Sequence, residues 1–343
     1  MITKNDKILV TGGTGFLGSY LLRYLVDKGY TNIFALKRST SRMDLVEPIK
    51  NKVEWVEGDI LDLGVLEDVI SQVDYVFHCA AMVSFFPKEA KRMSQVNVEG
   101  TANLVNLSLE YDIKKFIHVS SIAAVGRRKK LTEIDEETKW ESSDYNSKYA
   151  ITKFLSEQEV WRGQAEGLNV GIVNPSVIMG SGFWNEGPAA FFKMVWNGLK
   201  FYSTGKTGFV DVRDVAKFMI LLLESDLEGE RYILNGQNLD FRYIFDTIAH
   251  HLGVKKPSIK VTPFLEALSW RLLAIPAFFT GKAPAITKET AQSSGRTFLY
   301  DNSKSKLAFN FEYTEIEKTI KESAFLFKNA EKNGLNHAFL PLN

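Results

Sequence analysis

The chain has 343 residues, of which 45% are hydrophobic and 24% charged, a composition typical of a folded globular protein and not of a disordered one. Its 42 basic and 41 acidic residues give a net charge of +1, so no overall positive charge points to a nucleic-acid partner. The single cysteine, Cys79, excludes an internal disulfide and a cysteine-rich metal site, and it favours a reducing, cytoplasmic compartment.

Short apolar segments alternate with helical patterns through the first half of the chain. Strands are predicted at 7–12, 32–38, 53–59, 73–81, 115–121 and 169–175, and helices at 16–28, 61–70, 96–110 and about 145–166. This alternation predicts βαβ units, and therefore an α/β fold in which helices cover both faces of a parallel sheet.

The second half of the chain is less regular. A strand followed by a helix is predicted over 209–224, a further strand over 231–235, a helix over 241–252 and a helical tail from residue 303. Neither an internal repeat nor a low-complexity linker separates the two halves. We therefore predict one domain over 1–175, to which 209–235 returns, and a smaller, interleaved lobe over 176–343.

No apolar run in the sequence is long enough to predict a membrane span. The nearest candidate, 264–281, is interrupted by Glu266, Arg271 and Pro276. Three roles stay open for it: a wall of a ligand pocket, a core helix, or an amphipathic helix at a membrane interface. The first residues of the chain lack the apolar segment of a signal peptide.

A glycine-rich segment, VTGGTGFLG at 10–18, follows the first predicted strand and opens the first helix. Gly12, Gly15 and Gly18 have the spacing G-x-x-G-x-x-G, one residue longer at the start than the dinucleotide fingerprint G-x-G-x-x-G. Such a loop lets backbone N–H groups and the positive end of the helix dipole hold a pyrophosphate. Its position between a strand and a helix predicts a nucleotide site, although glycines also form plain tight turns.

The end of the second strand indicates which dinucleotide is bound. An acidic residue there would hold the ribose 2′-hydroxyl of NAD, whereas an arginine would accommodate the 2′-phosphate of NADP. The sequence ALKRSTSRMD places Lys37, Arg38 and Arg42 at this point, and its first acid is Asp44. We therefore expect NADP(H) in preference to NAD(H), against the alternative of a solvated basic turn.

Three further features have both a local and a site-related interpretation. Asp59, at the end of the third strand, would accept a hydrogen bond from an adenine amino group, or be an ordinary loop or N-cap aspartate before 61–70. Asn97 would stabilise the site from its helix, or act as a helix N-cap. His78 and Cys79, at the end of the fourth strand, are interpreted as a buried pair, because five scattered histidines indicate no metal site.

Tyr149 and Lys153 stand four residues apart in YNSKYAITK at 145–153, so a helix places both on one face. By itself this spacing is typical of a solvated helix face. A tyrosine has an ordinary pKa of about 10, too high for efficient proton transfer at neutral pH, and a nearby ammonium lowers it. Tyr145 shares the face, but only Tyr149 is followed by a lysine four residues later.

Together these motifs resemble the extended short-chain dehydrogenase/reductase family, within the NAD-dependent epimerase/dehydratase superfamily. The resemblance rests on the glycine loop, Tyr149-x-x-x-Lys153 and five further segments in the family's order: EGDILD at 57–62, HCAA at 78–81, VNVEGTANL at 96–104, HVSSIAAVG at 118–126 and FVDVRDVA at 209–216. The most similar branch contains dihydroflavonol reductases and 3β-hydroxysteroid dehydrogenases. The resemblance implies a Rossmann fold with a doubly wound parallel sheet, an NADP-binding domain over 1–175, and a substrate-binding lobe mainly over 176–343.

In this family a serine, a tyrosine and a lysine carry out the proton transfer that accompanies hydride transfer. The resemblance assigns these roles to Ser121, Tyr149 and Lys153. Gly126, which closes the strand–loop motif, selects Ser121 over Ser120, although the two differ by one position and the choice stays open. Ser121 would bind the substrate oxygen, Tyr149 would be the general acid–base, and Lys153 would lower the pKa of Tyr149 and hold the nicotinamide ribose.

The resemblance also assigns the cofactor contacts and the partners. The expected contacts are Gly12, Thr14, Gly15, Phe16, Leu17, Arg38, Asp59, Ile60, Ala80, Ala81, Tyr149, Lys153 and Pro175. No metal is expected, and the segment VDVRDVA at 210–216 is expected to have a structural role. A homodimer paired through helices 96–110 and 145–166 follows only from the resemblance.

These features predict an NADP(H)-dependent oxidoreductase that interconverts a ketone and a secondary alcohol on a mainly apolar small molecule. Candidates to line its pocket are Phe85, Phe86, Phe183, Trp184, Phe191 and Phe192. The alternative is a sugar-nucleotide epimerase or dehydratase that keeps its NAD(P) tightly bound. Asn174 and Met179 depart from that group, which commonly has arginine and tyrosine at these positions. A non-catalytic binding protein would not need the serine, the tyrosine and the lysine.

Overall fold

The computed structural model describes residues 2–127, 133–143, 146–262 and 295–343. The strands are β1 (Ile8–Thr11), β2 (Ile33–Lys37), β3 (Glu54–Glu57), β4 (Tyr75–His78), β5 (Lys115–Val119), β6 (Glu133–Ile134), β7 (Val170–Pro175), β8 (Val177–Met179), β9 (Phe201–Tyr202), β10 (Lys206–Asp211), β11 (Glu230–Leu234), β12 (Gln237–Asp240), β13 (Ile259–Lys260) and β14 (Leu299–Tyr300). The α-helices are α1 (Phe16–Asp27), α2 (Leu63–Ile70), α3 (Ala90–Ser94), α4 (Gly100–Glu110), α5 (Lys148–Ala165), α6 (Ala190–Trp196), α7 (Val212–Glu224), α8 (Phe241–Leu252), α9 (Ser303–Phe309) and α10 (Ile316–Lys332). Among these helices, none is both long and apolar enough to cross a membrane. The candidate segment 264–281 and Tyr145 lie outside the described residues.

Seven parallel strands form the central sheet, in the order β11–β7–β5–β4–β1–β2–β3. The predicted α/β fold with a doubly wound parallel sheet is therefore confirmed. The strand order reverses between β1 and β4, which are direct neighbours. Sheets of this kind bind ligands in the crevice outside the carboxyl ends of the strands at such a reversal.

Helices cover both faces of the sheet, which explains why its central strands are continuous apolar runs. Ile8 and Val10 of β1 pack with α1 and α7 on one face. Leu9 packs towards the opposite face, in the cluster that includes residues of α2, α4 and α5. The sheet is thus buried on both sides, and its loops at the carboxyl ends of the strands are left to form a site.

The second half of the chain contributes to two separate cores. Strand β11 lies in the central sheet beside β7. A second sheet, β12–β10–β8, packs with α6, α8 and α10 around a cluster that includes Trp184, Phe192, Phe209 and Phe327. That the chain divides at residues 175 and 176 into a cofactor-binding and a substrate-binding domain stays a prediction.

Residues at the turn from β10 into α7 bind helix α10 and the segment before it through hydrogen bonds and ion pairs. Asp211 accepts hydrogen bonds from the Arg213 backbone N–H at 2.7 Å and from the Thr319 hydroxyl at 2.6 Å. The Arg213 guanidinium pairs with Asp211 at 2.7 Å and with Glu322 of α10 at 2.8 Å. Asp214 accepts from the backbone N–H of Thr314 at 2.6 Å. These contacts agree with the structural role predicted for the segment VDVRDVA.

Asp214 makes the stability of the protein depend on pH. Its burial, and then the negative charge of Asp211, raise its pKa from 3.8 to about 6. Because the folded-state pKa lies above the unfolded one, the folded state binds the proton more tightly, and stability is lost as the pH rises from about 4 to about 6. Relative to Asp214→Asn, the free energy of unfolding of the wild type is expected to fall by about 3 kcal/mol across this window, at about 1.4 kcal/mol per pKa unit.

Urea unfolding of both proteins at the two pH values measures this difference. Asp6→Asn is a control of opposite sign, because a hydrogen bond with the Thr3 backbone lowers the pKa of Asp6. Relative to that variant, the wild type gains stability only as the pH rises towards 3.8, so this difference should change little between about pH 4 and about pH 6. A wild-type minus Asp214→Asn difference that is the same at both pH values would contradict the assignment.

Candidate active site

The glycine loop connects β1 to α1 through backbone that leaves no room for side chains. Gly12 has a φ of +71°, and a Cβ there would lie 2.6 Å from the backbone nitrogen of Ala80 at the end of β4. A Cβ at Gly18 would lie 2.2 Å from the carbonyl oxygen of Gly12. The loop therefore packs directly against the neighbouring strand end at the reversal of the sheet, where Ala80 and Ala81 are also located.

The exposed side of the loop fits a pyrophosphate. At Gly15 a Cβ would meet only the Gly12 carbonyl oxygen, at 3.2 Å, so this position is otherwise open. Helix α1 begins at Phe16 with no side-chain cap and no acidic residue in its first turn. Its first N–H groups and positive dipole end are thus available to an anion. Leu17 is buried in the core, so only its backbone can reach such a ligand.

The basic residues after β2 differ in their partners. The Lys37 ammonium pairs with Glu57 at 3.0 Å. Arg42 pairs with Glu186 and lies over the ring of Phe183, 3.5 Å from its centroid. Arg38 is exposed, and within the described ranges its guanidinium has no ion pair. Arg38 is therefore the cation of this turn that is free to meet a phosphate.

The aspartate at the end of β3 does not cap the next helix. Asp59 accepts from the backbone N–H of Leu61 at 3.1 Å, and its other oxygen lies 3.3 Å from the Arg92 guanidinium. Helix α2 is capped by Asp62, which accepts from the N–H of Val65 at 3.4 Å. The N-cap alternative for Asp59 is therefore wrong. Ile60, which follows it, is almost fully buried.

His78 and Cys79 are unreactive in this setting. The His78 Nδ1 lies 2.7 Å from the Thr11 hydroxyl and its Nε2 lies 2.9 Å from the Thr101 hydroxyl. Burial lowers the pKa of His78 to about 3 and raises that of Cys79 to about 12. The imidazole is thus neutral and the thiol protonated at neutral pH. Within the described residues, no group of three His, Cys, Asp or Glu side chains could hold a metal ion.

Asn97 ties the loop after β4 to helix α5. It lies within a π-helical turn, Gln95–Glu99, and not at a helix start, so the N-cap alternative is wrong. Its Oδ1 accepts from the Met82 N–H at 2.7 Å, and its Nδ2 donates to the Met82 carbonyl at 2.9 Å and to the Thr152 hydroxyl at 3.0 Å. Asn97 therefore fixes the backbone that borders the crevice.

The two serines after β5 point to different partners. The Ser120 hydroxyl donates to the buried carboxylate of Glu157 at 2.6 Å. The Ser121 hydroxyl accepts from the N–H of Ala123 at 3.1 Å, and its interaction with the Tyr149 phenol lowers the pKa of that phenol. Of the two, Ser121 is thus the serine that faces Tyr149.

Helix α5 begins three residues later than predicted. Ser147 is its N-cap and accepts from the N–H of Ala150, so the helix starts at Lys148 and Tyr145 precedes it. Tyr149 therefore lies in the first turn, and its ring meets that of Phe85 edge-on, with the centroids 5.9 Å apart. The signal for this start is the serine itself, because serine is a preferred capping residue.

The expectation that Lys153 lowers the pKa of Tyr149 is wrong in this structure. Burial raises the pKa of Tyr149, and the hydrogen bond with Ser121 offsets only part of this increase. Lys153 is 2% exposed, and its ammonium donates to the carbonyl of Val119 at 2.7 Å. Burial also lowers the pKa of Lys153, to about 8. The phenol is thus protonated at neutral pH, with an ammonium one helical turn further along α5.

Of the six aromatic pocket candidates, Phe85 is the one whose ring pairs with that of Tyr149 in the described structure. Trp184 and Phe192 are fully buried in the core of the second lobe, and Phe191 packs against Phe245 there. Phe183 lies under Arg42, as described above. Phe86 is half-buried beside Phe85. Dense aromatics in this part of the sequence mainly form a core.

The carboxyl end of β7 completes the crevice. Pro175 is the last residue of this strand and pairs with Leu234 of β11. Asn174, before it, is fully buried, and its Nδ2 donates to the Ser121 carbonyl at 3.0 Å and to Glu157 at 2.8 Å. Its side chain therefore faces the interior and supports the serine segment. Sequence reasoning missed Glu157, although its spacing of four residues from Lys153 was a signal.

The comparisons with known proteins concern the family and the fold of the chain. The model of the NAD dependent epimerase/dehydratase family matches residues 8–235. A putative dihydroflavonol 4-reductase of Synechocystis sp. is 28% identical over 338 residues, which cover 96% of each chain. Cinnamoyl-CoA reductase 1 of Petunia hybrida is 30% identical over 241 residues, which cover 66% of this chain and 71% of that protein.

A solved structure with a similar fold is the UDP-glucose 4-epimerase of Thermotoga maritima. It matches 95% of this chain and 99% of its own, with a TM-score of 0.77 and 23% sequence identity. At this identity the similarity establishes the fold alone. The crevice with its glycine loop, serine, tyrosine and lysine thus occurs in a fold that both reductases and epimerases use.

Proposed function

The chain belongs to the NAD dependent epimerase/dehydratase family, as its motifs predict, and we propose that it is an oxidoreductase that uses NADP(H). Its reaction interconverts a ketone and a secondary alcohol on a mainly apolar small molecule. The observation that carries the proposal is the position of Ser121, which acts on the Tyr149 phenol and lowers its pKa, with Lys153 one turn further along α5. Ser121 follows β5, which only β4 separates from β1 and its glycine loop, and α5 packs against the turn Ile122–Val125 just after Ser121.

Tyr149 is the proposed proton donor. A bound reduced nicotinamide would supply the hydride that the carbonyl carbon needs. The raised pKa of Tyr149 keeps its phenol protonated, which is the form that donates to the oxygen as negative charge develops there. Ser121 donates a second hydrogen bond to the same oxygen and stabilises that charge. By the family resemblance, the Lys153 ammonium holds the ribose of the cofactor.

The residues present fit a dinucleotide along the crevice. The pyrophosphate would lie on the open side of Gly15 at the start of α1, and the adenosine end at the turn after β2. The preference for NADP(H) follows from Arg38, because the other two cations of that turn are neutralised by Glu57 and Glu186. NAD(H) is the less favoured cofactor.

Arg38→Ala is expected to change the preference between the two cofactors. Loss of a charged hydrogen bond to the 2′-phosphate should raise the Kd of NADPH by about 10- to 100-fold and leave that of NADH unchanged. Fluorescence titration with both nucleotides measures this. Lys37→Ala is the matched control, since its ammonium already pairs with Glu57 and its loss should change the NADPH affinity little. Equal losses for NADPH and NADH in Arg38→Ala would contradict the assignment.

The apolar character of the substrate is supported by the loop after β4. Phe85 lies against Tyr149, and Val83 is 63% exposed at the border of the crevice. Asn97 holds this loop in place through both backbone groups of Met82. An apolar ligand that covers Val83 and Phe85 would gain the free energy of removing their surfaces from water.

A sugar-nucleotide epimerase or dehydratase is the second candidate, because such enzymes share this fold. Asn174 disfavours it: at the position where that group commonly has arginine, this chain has an amide that is buried and bonded inside the protein. It therefore offers no cation to a nucleotide diphosphate at that point. The relatives named as reductases support the first candidate.

One experiment separates the two candidates. The purified protein is titrated with NADPH and NADH, and nicotinamide absorbance is followed with a panel of aliphatic and aromatic ketones and a panel of sugar nucleotides. Net NADPH oxidation that depends on a ketone is the expected result. A copurifying cofactor with no net oxidation, together with a converted sugar nucleotide, would overturn the proposal.

A further inference from the structure

A buried carboxylate connects the elements that hold the proposed catalytic groups. Glu157 lies in α5, four residues after Lys153, and is 1% exposed. Its Oε2 accepts from the Ser120 hydroxyl at 2.6 Å and from Asn174 Nδ2 at 2.8 Å. Its Oε1 lies 3.1 Å from the Arg231 guanidinium of β11. The carboxylate thus joins α5 to the ends of β5 and β7 and to β11.

The same bonds fix the backbone that carries Ser121. Ser120, its neighbour, is held by its backbone N–H on the Val173 carbonyl at 2.8 Å and by its hydroxyl on Glu157. The Asn174 amide bridges Glu157 and the carbonyl of Ser121 itself. Each group that points at the carboxylate is a donor, so an ionised acceptor is required at this position.

A buried carboxylate of this kind is costly unless it is paired. Arg231 supplies the compensating cation, and it is itself held by the carbonyl of Glu136, to which its Nε donates at 2.9 Å. An ion pair that served stability alone could be replaced by apolar side chains. Glu157 lies next to Ser121 and Lys153, so its carboxylate can act on the groups of the proposed active site as well as on stability.

Glu157 also determines the charge environment of Lys153. The groups whose electrostatic effects act on Lys153, or on which it acts, are Glu157, Cys79, His78 and His118. Burial lowers the pKa of both histidines, and Cys79 stays protonated at neutral pH, so these three are uncharged. Of the described groups that face Lys153, Glu157 is therefore the anion that favours its ammonium form.

We propose that Glu157 is a positioning residue of the proposed active site: its carboxylate fixes the Ser120–Ser121 segment and places a negative charge one helical turn from Lys153. The inference rests on the proposed function of Ser121, Tyr149 and Lys153. Glu157 acts through these residues and does not itself touch substrate.

Glu157→Gln tests both parts of the inference. In this variant the NH₂ group of the glutamine meets side chains that are themselves hydrogen-bond donors, so the Ser120–Ser121 segment should shift. As a result, kcat for ketone reduction should fall by about 100-fold. The KM for NADPH should change little. The alkaline limit of the kcat/KM profile should move to lower pH, because Lys153 loses the charge that favours its ammonium. The control is Glu159→Gln, which removes a surface carboxylate bonded to Arg162 on the same helix and should behave as the wild type.

A second measurement needs no substrate, because it follows the titration of Lys153 directly. It therefore tests the effect of Glu157 on Lys153 even if the protein reduces no ketone. The titration of Lys153 is followed by NMR of labelled lysine, with Lys153→Met to assign the signal. The pKa of Lys153 is expected to be near 8 in the wild type and lower in Glu157→Gln. An unchanged pKa in a folded Glu157→Gln variant would overturn the electrostatic part, whether or not ketones are reduced.

Glu157→Asp is the variant to use if Glu157→Gln does not fold. It keeps the charge but shortens the reach, so kcat should fall while the pKa of Lys153 stays closer to that of the wild type. Ser120→Ala, which removes one donor and no charge, should lower kcat without moving the alkaline limit. Wild-type kcat in both variants would overturn the positioning role.

Discussion

Replacing Tyr149 with phenylalanine is expected to lower kcat for ketone reduction by about 10²- to 10⁴-fold, the usual contribution of a positioned general acid. The variant loses the phenol that faces Ser121 but keeps the ring that packs edge-on against Phe85. The fold and the Kd of NADPH should therefore change little. Initial rates with saturating NADPH and ketone, together with a fluorescence titration of the nucleotide, measure both quantities.

Tyr243→Phe is the matched control for this prediction. Its phenol is exposed and bonded to Glu317 on the surface of the second lobe, far in sequence from the serine, tyrosine and lysine. The control should keep the wild-type rate. A Tyr149→Phe variant that reduces ketones as fast as the wild type would show that another group donates the proton.

Replacing Gly12 with alanine is expected to abolish tight NADPH binding and to destabilise the fold. Both consequences follow from the φ of +71° and from a Cβ that would lie 2.6 Å from the Ala80 backbone nitrogen. The backbone at the end of β4 cannot move aside as a flexible side chain could. The glycine loop must therefore shift from its position at the start of α1. The clash should cost about 1–3 kcal/mol beyond the conformational strain.

Gly29→Ala separates the strain from the clash. Gly29 also has a positive φ, +84°, at the end of α1, but a Cβ there would meet nothing within 4 Å. Both variants pay about 1–2 kcal/mol for the left-handed conformation, and only Gly12→Ala should lose NADPH binding. Urea unfolding and nucleotide titration of the two variants give the comparison. Equal stability and equal affinity would contradict the close packing of the loop.

Most of the fold could be predicted because the sheet is buried on both faces. Continuous apolar runs such as KILVTG at 7–12 are found in strands that helices cover, and the six strands predicted in the first half of the chain all lie in the central sheet. Gly29, which follows the helix predicted at 16–28, has the left-handed backbone that glycine tolerates. The start of α5 was predicted too early because Tyr145 stands four residues before Tyr149, whereas Ser147 caps the helix at Lys148.

The errors in the site came from contacts between distant parts of the chain. Asn97 looked like a cap in its local sequence, but its partners are Met82 and Thr152. The spacing of Tyr149 and Lys153 predicted their common face but not their burial, which dominates the pKa of both. Burial is decided by packing across the whole fold, so the direction of such a shift cannot be read from spacing.

The position of the aromatic residues shows the same limitation. Phe85 and Phe192 have similar sequence surroundings, rich in apolar residues, yet one contacts Tyr149 and the other is fully buried in the second lobe. Aromatic side chains remove large areas from water in a core as well as in a pocket. Only their tertiary neighbours distinguish the two uses.

The most direct test of the account is the fate of the hydride. NADPH carrying deuterium at the transferable position is mixed with a ketone that the enzyme reduces, and the product alcohol is analysed by mass spectrometry. We predict one NADPH oxidised per alcohol released, with deuterium on the carbinol carbon of the product. Substrate conversion without net NADPH oxidation, the cofactor staying bound and regenerated in each cycle, would contradict the account.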